Sequence, residues 1–262
     1  MQSRRAHVAI KRWGLIITET KALQEHITNF YKGLFGSEPR SRFSLKHDFW
    51  GLESKVSEEE NEELTKPFTI EELEVVVKGM KDGSAPRLDG FSAVFFKYFW
   101  GELKGTLLEI LQDLRGGHLD LSRLNYGILT LIPKVKGATN IRQFRPICLL
   151  NVVYKIVTKT LTLRLNKIID KLISPNQTAF IPGRYILDGV VVIHEVMHEI
   201  VRQKQSGIIL KLDFEKAYDK VSWHFLQEVM HRKGFCERWT DWVMRTVCGG
   251  RVAVNLNGEL GQ

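Results

Sequence analysis

Apolar residues recur at helical spacing from Thr20 to Leu34, where Leu23, Ile27, Phe30 and Leu34 would share one face. The polar stretch from Gly36 to Glu63 contains the acidic run SEEENEEL, which reads as an exposed helix start or a linker. TIEELEVVVKGM opens on Thr69 with Glu72 three residues later. That spacing is a reciprocal N-terminal cap and predicts a helix running to near Gly83. After the loop DGSAPRLDG come two more helical patterns, Ser92 to Trp100 and Glu102 to Leu114, the second closed by Gly116-Gly117. The period then shortens. YGILTLIPK and FRPICLL are apolar runs split by a polar loop, which predicts an antiparallel strand pair.

Asn151 is placed to cap a long helix with Val153, Ile156, Leu161, Leu165, Ile168 and Leu172 on its buried face, ended by Pro175. LDGVVVIHEVMHEIVRQK predicts another helix and GIILKLDF a strand. Ser222 caps a helix stopping at Gly234, and Glu237 to Val247 form a last helix with Trp239, Trp242 and Val243 as its stripe. VAVNLNGELGQ alternates and reaches Asn257-Gly258, the strongest short hairpin signal. A hairpin needs two strands and only four residues follow Gly258, so the chain reads as cut within an element.

Charge changes the picture in one place. Of the formal +8 carried by the 262 residues, a net +8 lies between Ile132 and Lys171: Lys134, Lys136, Arg142, Arg145, Lys155, Lys159, Arg164, Lys167 and Lys171 against Asp170. A solvated basic face would look the same, but such concentration is also what phosphate binding requires. The three cysteines, Cys148, Cys236 and Cys248, have no metal-ligand spacing and suit a reducing, intracellular setting. No apolar leader opens the chain and no stretch is long and apolar enough to span a membrane, so no membrane partner is expected.

Two segments carry candidate chemistry. In LKLDFEKAYDKVSW, Asp213 ends a short apolar run, where a carboxylate can either cap a turn or hold a metal ion. HEVMH, His194 to His198, fits the zinc-protease pattern H-E-x-x-H: His194 and His198 would share a helix face, with Glu195 as general base. No G-x-x-H extension follows and no third ligand is evident, so no zinc is expected.

Five segments together, ITNFYKGLFG, SAPRLDGF, LTLIPK followed by FRPICLLNVVYKI, QTAFIPGRYILDGV, and KLDFEKAYDKVSW, resemble the reverse transcriptase domain of non-LTR (LINE-type) retrotransposons, in wording closest to those of plants. The resemblance implies an α+β right-hand polymerase fold, with fingers, an incomplete palm and no thumb. Residues 1–65 would be a connector before the polymerase domain, 66–207 fingers-like, and 208–262 a partial palm. It implies RNA-directed DNA synthesis on an RNA template from a DNA primer and deoxynucleoside triphosphates, with Mg²⁺ or Mn²⁺, in the nucleus or cytoplasm.

By that resemblance Asp213 is the first metal aspartate and the Phe214 backbone carbonyl helps to hold the second ion. Tyr218 lies under the incoming sugar, and Asp219 belongs to an A-aromatic-D triplet with a supporting role. Lys134 and Arg145 grip the triphosphate, a task for which the planar guanidinium is suited. Gln177, Phe180, Gly183 and Arg184 match a Q-F-GR segment near the template. Independently of the resemblance, the helix from Val152 to Leu172 puts Lys155, Lys159 and Lys167 off its apolar face, where they could follow a nucleic-acid backbone. The chain departs from the family at Arg87 and Leu88, where Gly and Pro are usual. The partner of Asp213 in the family is an Asp-Asp pair after an aromatic residue, and the sequence contains no Asp-Asp. Its metal site is therefore expected to be half built and these residues inactive by themselves. A nucleic-acid-binding remnant without catalysis is the alternative, and the zinc protease a more distant one.

Overall fold

Asn257 and Gly258 both take positive φ, 53° and 99°, as a two-residue turn between antiparallel strands requires. The Gly258 N–H donates to Asn255 Oδ1 at 3.2 Å and tightens the turn. A computed structural model describes residues 9–12, 15–17, 19–36, 44–46, 49–82, 90–212, 214 and 220–260. Their strands are β1 (Lys11–Arg12), β2 (Leu15–Ile16), β3 (Tyr126–Pro133), β4 (Phe144–Leu150), β5 (Arg251–Leu256) and β6 (Glu259–Leu260). The helices are α1 (Thr20–Phe35), α2 (Glu58–Thr65), α3 (Ile70–Lys78), α4 (Ala93–Tyr98), α5 (Trp100–Gly116), α6 (Leu121–Leu124), α7 (Val152–Leu165), α8 (Ile169–Leu172), α9 (Ile186–Arg202), α10 (Trp223–Arg232) and α11 (Glu237–Val247). The secondary structure is thus mixed, α-helices and a small mixed sheet.

Two compact units divide the chain. One comprises Met1–Arg42, Pro67–Thr160 and Trp242–Gln262, the other Phe43–Lys66 and Leu161–Asp241. The first unit holds a sheet in the order β4-β3-β5-β6. β3 and β4 are antiparallel, as their pattern predicts, and Asn257-Gly258 joins β5 to β6 antiparallel. β5 also runs parallel to β3, from Tyr126 opposite Arg251 to Thr130 opposite Asn255. One face of the sheet buries Leu129, Leu131, Phe144, Val254 and Leu256 with Ile10, Leu23, Ile27 and Tyr31. Each such side chain contributes about 1.5–3 kcal/mol through its removal from water.

Polar groups hold the far end of the sheet. Asn151 Oδ1 accepts the Tyr154 N–H at 2.7 Å, which makes it the cap of α7, and its amide donates to the Leu124 carbonyl at 2.7 Å. The Tyr154 hydroxyl and the Asn125 amide both donate to the Thr246 carbonyl, at 2.6 and 3.0 Å. Buried polar groups are retained where such partners exist. Thr69 and Glu72 form the reciprocal cap of α3. That helix ends at Lys78 with Gly79 as its cap, short of Gly83, and the Met80 N–H bonds only three residues back to Val77 O, the tighter turn that closes a helix end.

In the second unit the acidic run is helix α2, started by a reciprocal cap between Ser57 and Glu60. Its last carbonyls are taken up by Arg164, 1% exposed, which donates from Nη1 to Leu64 O at 2.8 Å and Lys66 O at 2.7 Å. A buried guanidinium at a helix C-terminus satisfies orphan carbonyls and complements the dipole. Lys233 is also buried. It donates to the Ser54 and Leu172 carbonyls at 3.2 and 3.0 Å, lies 4.4 Å from the Trp50 ring, and burial lowers its pKa.

Two expectations are corrected here. The helix from Asn151 is not continuous to Leu172: it stops at Leu165, turns, and resumes as α8. Its buried set is Val152, Tyr154, Ile156, Val157, Thr160, Leu161 and Arg164, while Val153, Leu165 and Ile168 are half-exposed. GIILKLDF forms no strand among the described residues. Ile208, Ile209, Leu210 and Leu212 are 97%, 68%, 77% and 66% exposed, and without a neighbouring ladder an extended run has nothing to pair its backbone. Helix α9 forms as predicted but buries none of its residues.

Candidate functional site

The β3–β4 hairpin positions its two cations through register. Ile132 pairs with Arg145 and Pro133 with Phe144, and the ladder continues as the Lys134 N–H donates to Gln143 O at 2.8 Å. Side chains alternate along a strand, so Arg145 and Lys134 share the face opposite that of buried Leu131 and Phe144. They are diagonal neighbours there, about 7–8 Å apart between their backbones. Both are exposed. Lys134 Nζ donates to the Arg142 carbonyl at 3.1 Å, which brings its charge across the hairpin loop. That loop is stiffened by Asn140, which caps the turn Ile141–Gln143, and by Ile141, which enters the core.

Lys155 and Lys159 are one turn apart on α7, Lys155 half-exposed and Lys159 exposed. The Lys155 ammonium acts on Cys148, whose thiol is pushed up by burial and pulled the other way by that charge. The basic segment is less uniform than its sequence suggests. Arg164 is buried under α2, Lys171 pairs with Glu60, and Lys167 follows the end of α7 in a turn.

The loop between α8 and α9 carries the Q-F-GR residues. Arg184 does not face outward as a free phosphate binder. Its guanidinium donates to the Asp170 carboxylate at 3.1 Å and to the carbonyls of Asp170, Ile173, Ser174 and Gln177 at 3.1, 3.1, 2.6 and 3.0 Å. Those acceptors fold the loop around it. Gln177 is exposed and turns its amide to Ala179 O at 3.0 Å. Phe180 takes φ of 65°, a conformation costly for a residue with Cβ, and its side chain is 99% exposed. Gly183 takes φ of 79°, where glycine carries no such cost.

Asp213, Tyr218, Asp219, Arg87 and Leu88 lie outside the described residues. Phe214 is described and 73% exposed. His194, Glu195 and His198 are all exposed on α9, and among the described residues no three His, Cys, Asp or Glu come together as a metal-binding group. Among those residues, too, no helix is long and apolar enough to cross a membrane. The sequence reading missed the clasp made by Arg184 and the exposure of Phe180. It also missed a polar face on α10 whose signal, His224, Gln227, Glu228, His231 and Arg232 at helical spacing, was present in the sequence.

Comparison with known proteins bears directly on these segments. A family model described as reverse transcriptase (RNA-dependent DNA polymerase) matches residues 132–261, close to half of the chain and inclusive of the Lys134–Arg145 hairpin. The chain is 31% identical over 248 residues, 94% of its length, to the transposon TX1 uncharacterized 149 kDa protein of Xenopus laevis. The chain carries a reverse transcriptase domain homologous to non-LTR retrotransposon proteins. It is also 28% identical over 127 residues, 48% of its length, to the retrovirus-related Pol polyprotein from type-2 retrotransposable element R2DM of Drosophila melanogaster. These matches span 19% and 12% of the two relatives, so the chain corresponds to a small part of each.

Reverse transcriptases generally use divalent metal ions.

Proposed function

We propose that the chain is the nucleotide- and template-holding part of an RNA-directed DNA polymerase, with fingers and a partial palm of a right-hand fold. The motif wording supports an element of plant type, at work in the nucleus or cytoplasm. The observation that carries the reading is the β3–β4 hairpin, whose exposed face presents Arg145 and Lys134 together at a stiffened loop. Two cations on a rigid edge suit a triphosphate: guanidinium binds oxygens in pairs, and ammonium acts as a compact charge.

Lys155 and Lys159 on α7 are template contacts of one unit, and the loop that Arg184 folds is a template contact of the other. In this reading Arg184 supports the loop from within, and the exposed Phe180 ring offers a stacking surface for a base. Asp213 with the Phe214 carbonyl marks the metal side, Tyr218 the sugar, and a DNA primer and deoxynucleoside triphosphates are the remaining partners. The 262 residues lack the Asp-Asp partner of Asp213, so this chain by itself binds and does not polymerise. The zinc-protease alternative draws no support from the exposed histidines of α9, which belong to no metal-binding group among the described residues.

The test is the affinity for dTTP as its Mg²⁺ complex, measured by calorimetry. Arg145→Ala and Lys134→Ala should each weaken it about tenfold or more, since a charge-assisted hydrogen bond contributes about 1.5–3 kcal/mol. Arg145→Lys should recover part of the loss. Equal affinity in wild type and both alanine variants would remove the hairpin from the reading.

A further inference from the structure

Helix α10 turns one polar face toward a cavity of about 540 Å³, lined by His224, Gln227, Glu228, His231 and Arg232 together with Lys55 and Gly234. All seven belong to the same unit. The volume is in the range of small-ligand sites. Lys55 and Arg232 bring two full positive charges, and neither side chain has a hydrogen-bond or ion-pair partner among the described residues. His231 is 3.6 Å from Glu237. Glu228 is the one acid of the lining, and both its oxygens are turned inward. Oε1 accepts the Leu45 N–H at 2.6 Å, and Oε2 is buried with no hydrogen-bond partner. The carboxylate therefore braces the wall, and the groups left to meet a ligand are the two cations, His224 and the exposed Gln227 amide.

We infer that this cavity is a second nucleotide-binding site, in which Lys55 and Arg232 hold a phosphate and Gln227 hydrogen-bonds a base edge. Two unpartnered cations around a concave space fit a phosphate group, whose oxygens accept from guanidinium in pairs. The Gln227 amide offers both donor and acceptor, which a nucleobase edge complements. None of these residues belongs to the β3–β4 hairpin or to the Asp213 segment, so the site goes beyond the proposed polymerase role and does not depend on it. The nucleotide is either free or a unit of an RNA strand; the chemistry at the cavity is shared.

Calorimetry on the whole chain tests it with three probes: uridine monophosphate, inorganic phosphate and a short single-stranded oligouridylate. Uridine monophosphate should bind more tightly than phosphate. Lys55→Gln and Arg232→Gln should each weaken it about tenfold, and Gln227→Ala should bring it down to the level of phosphate. Glu228→Gln keeps an acceptor for the Leu45 N–H while removing a negative charge, so it should tighten binding severalfold. Oligouridylate binding above that of the monophosphate, lost in the same variants, assigns the site to an RNA strand. Indifference of the oligonucleotide to those variants, with loss of the monophosphate, assigns it to free nucleotide. Unchanged affinity for both probes in Lys55→Gln and Arg232→Gln, with wild-type circular dichroism, overturns the site. Arg145→Ala, titrated with dTTP in parallel, separates the two proposals: each can fail while the other holds.

Discussion

Two stretches of this chain read almost alike in sequence and end differently. Tyr126–Pro133 and Ile208–Leu212 are both short apolar runs, rich in Ile and Leu, that lead to a residue of the candidate chemistry. The first becomes a central strand, antiparallel to β4 on one side and parallel to β5 on the other. The second has no ladder among the described residues and exposes its apolar side chains. Strand propensity is a fit to a half-buried pleated surface, and it is expressed only where neighbours supply that surface. The consequence for function is asymmetric. Lys134 and Arg145 are held in fixed register on a packed hairpin, whereas the run before Asp213 holds nothing in register.

The sharpest way to break that contrast is catalysis. Assayed by itself on a poly-A template with an oligo-dT primer, the chain should give no extension with Mg²⁺ or Mn²⁺, although it binds dTTP. Metal ions that stabilise the attacking and leaving oxygens account for much of the rate in two-metal sites, so an incomplete ligand set removes nearly all of it. Steady extension that disappears in Asp213→Ala would show that the Asp213 side is as well built as the hairpin.

Stability gives a second test of the same contrast. Leu129 is 3% exposed within the core cluster and Leu210 is 77% exposed. Leu129→Ala should therefore cost about 2–5 kcal/mol in urea unfolding, the usual range for a buried leucine. Leu210→Ala should stay within about 0.5 kcal/mol, as surface substitutions do. A loss of several kcal/mol at Leu210 would mean that the second run is packed in solution after all.

What could be read in the sequence follows the same division between local and distant. The Thr69–Glu72 cap, the Ser57–Glu60 helix start, Asn151 at the head of α7 and the Asn257-Gly258 turn are all encoded within four residues, and each forms as its chemistry directs. The parallel pairing of β3 with β5 joins residues more than a hundred positions apart, and nothing in either strand names the other. Arg164 has the same origin of illegibility. In sequence it is one of nine basic residues in a segment that suits phosphate. In the structure it is buried because its guanidinium meets two carbonyls at the end of α2, a helix about a hundred residues earlier. The motif around Arg184 points to a template contact, and its acceptors lie in the loop that it folds. For the site, Lys134 and Arg145 are named by the family motifs alone, while the hairpin that carries them is legible as two apolar runs split by a polar loop. The α10 cavity needed Lys55, which comes from a different part of the chain.

The smallest expected effect concerns another member of the basic segment, Lys171, which pairs with Glu60. Burial opposes the Glu60 charge most strongly. The Lys171 ammonium and the Ser57 N–H and hydroxyl outweigh it together and leave the carboxyl below the ordinary glutamate value of 4.5. A folded-state value below the unfolded one means that the ionised group favours the fold. Its contribution is complete above about pH 4.5 and is lost as pH falls through the lower folded value. Glu60 is partly open to solvent, so the pair contributes roughly 0.2–1 kcal/mol, the range of such ion pairs. Glu60→Gln should lower stability by about that much at pH 7 and flatten the fall in stability on acidification below pH 4.5. Urea midpoints of wild type and variant at neutral pH and at about pH 3 measure both effects. A variant that loses as much stability on acidification as the wild type would show that Lys171 is no more tied down than the lysines on the solvent face of α7, and would return it to the cations open to nucleic acid.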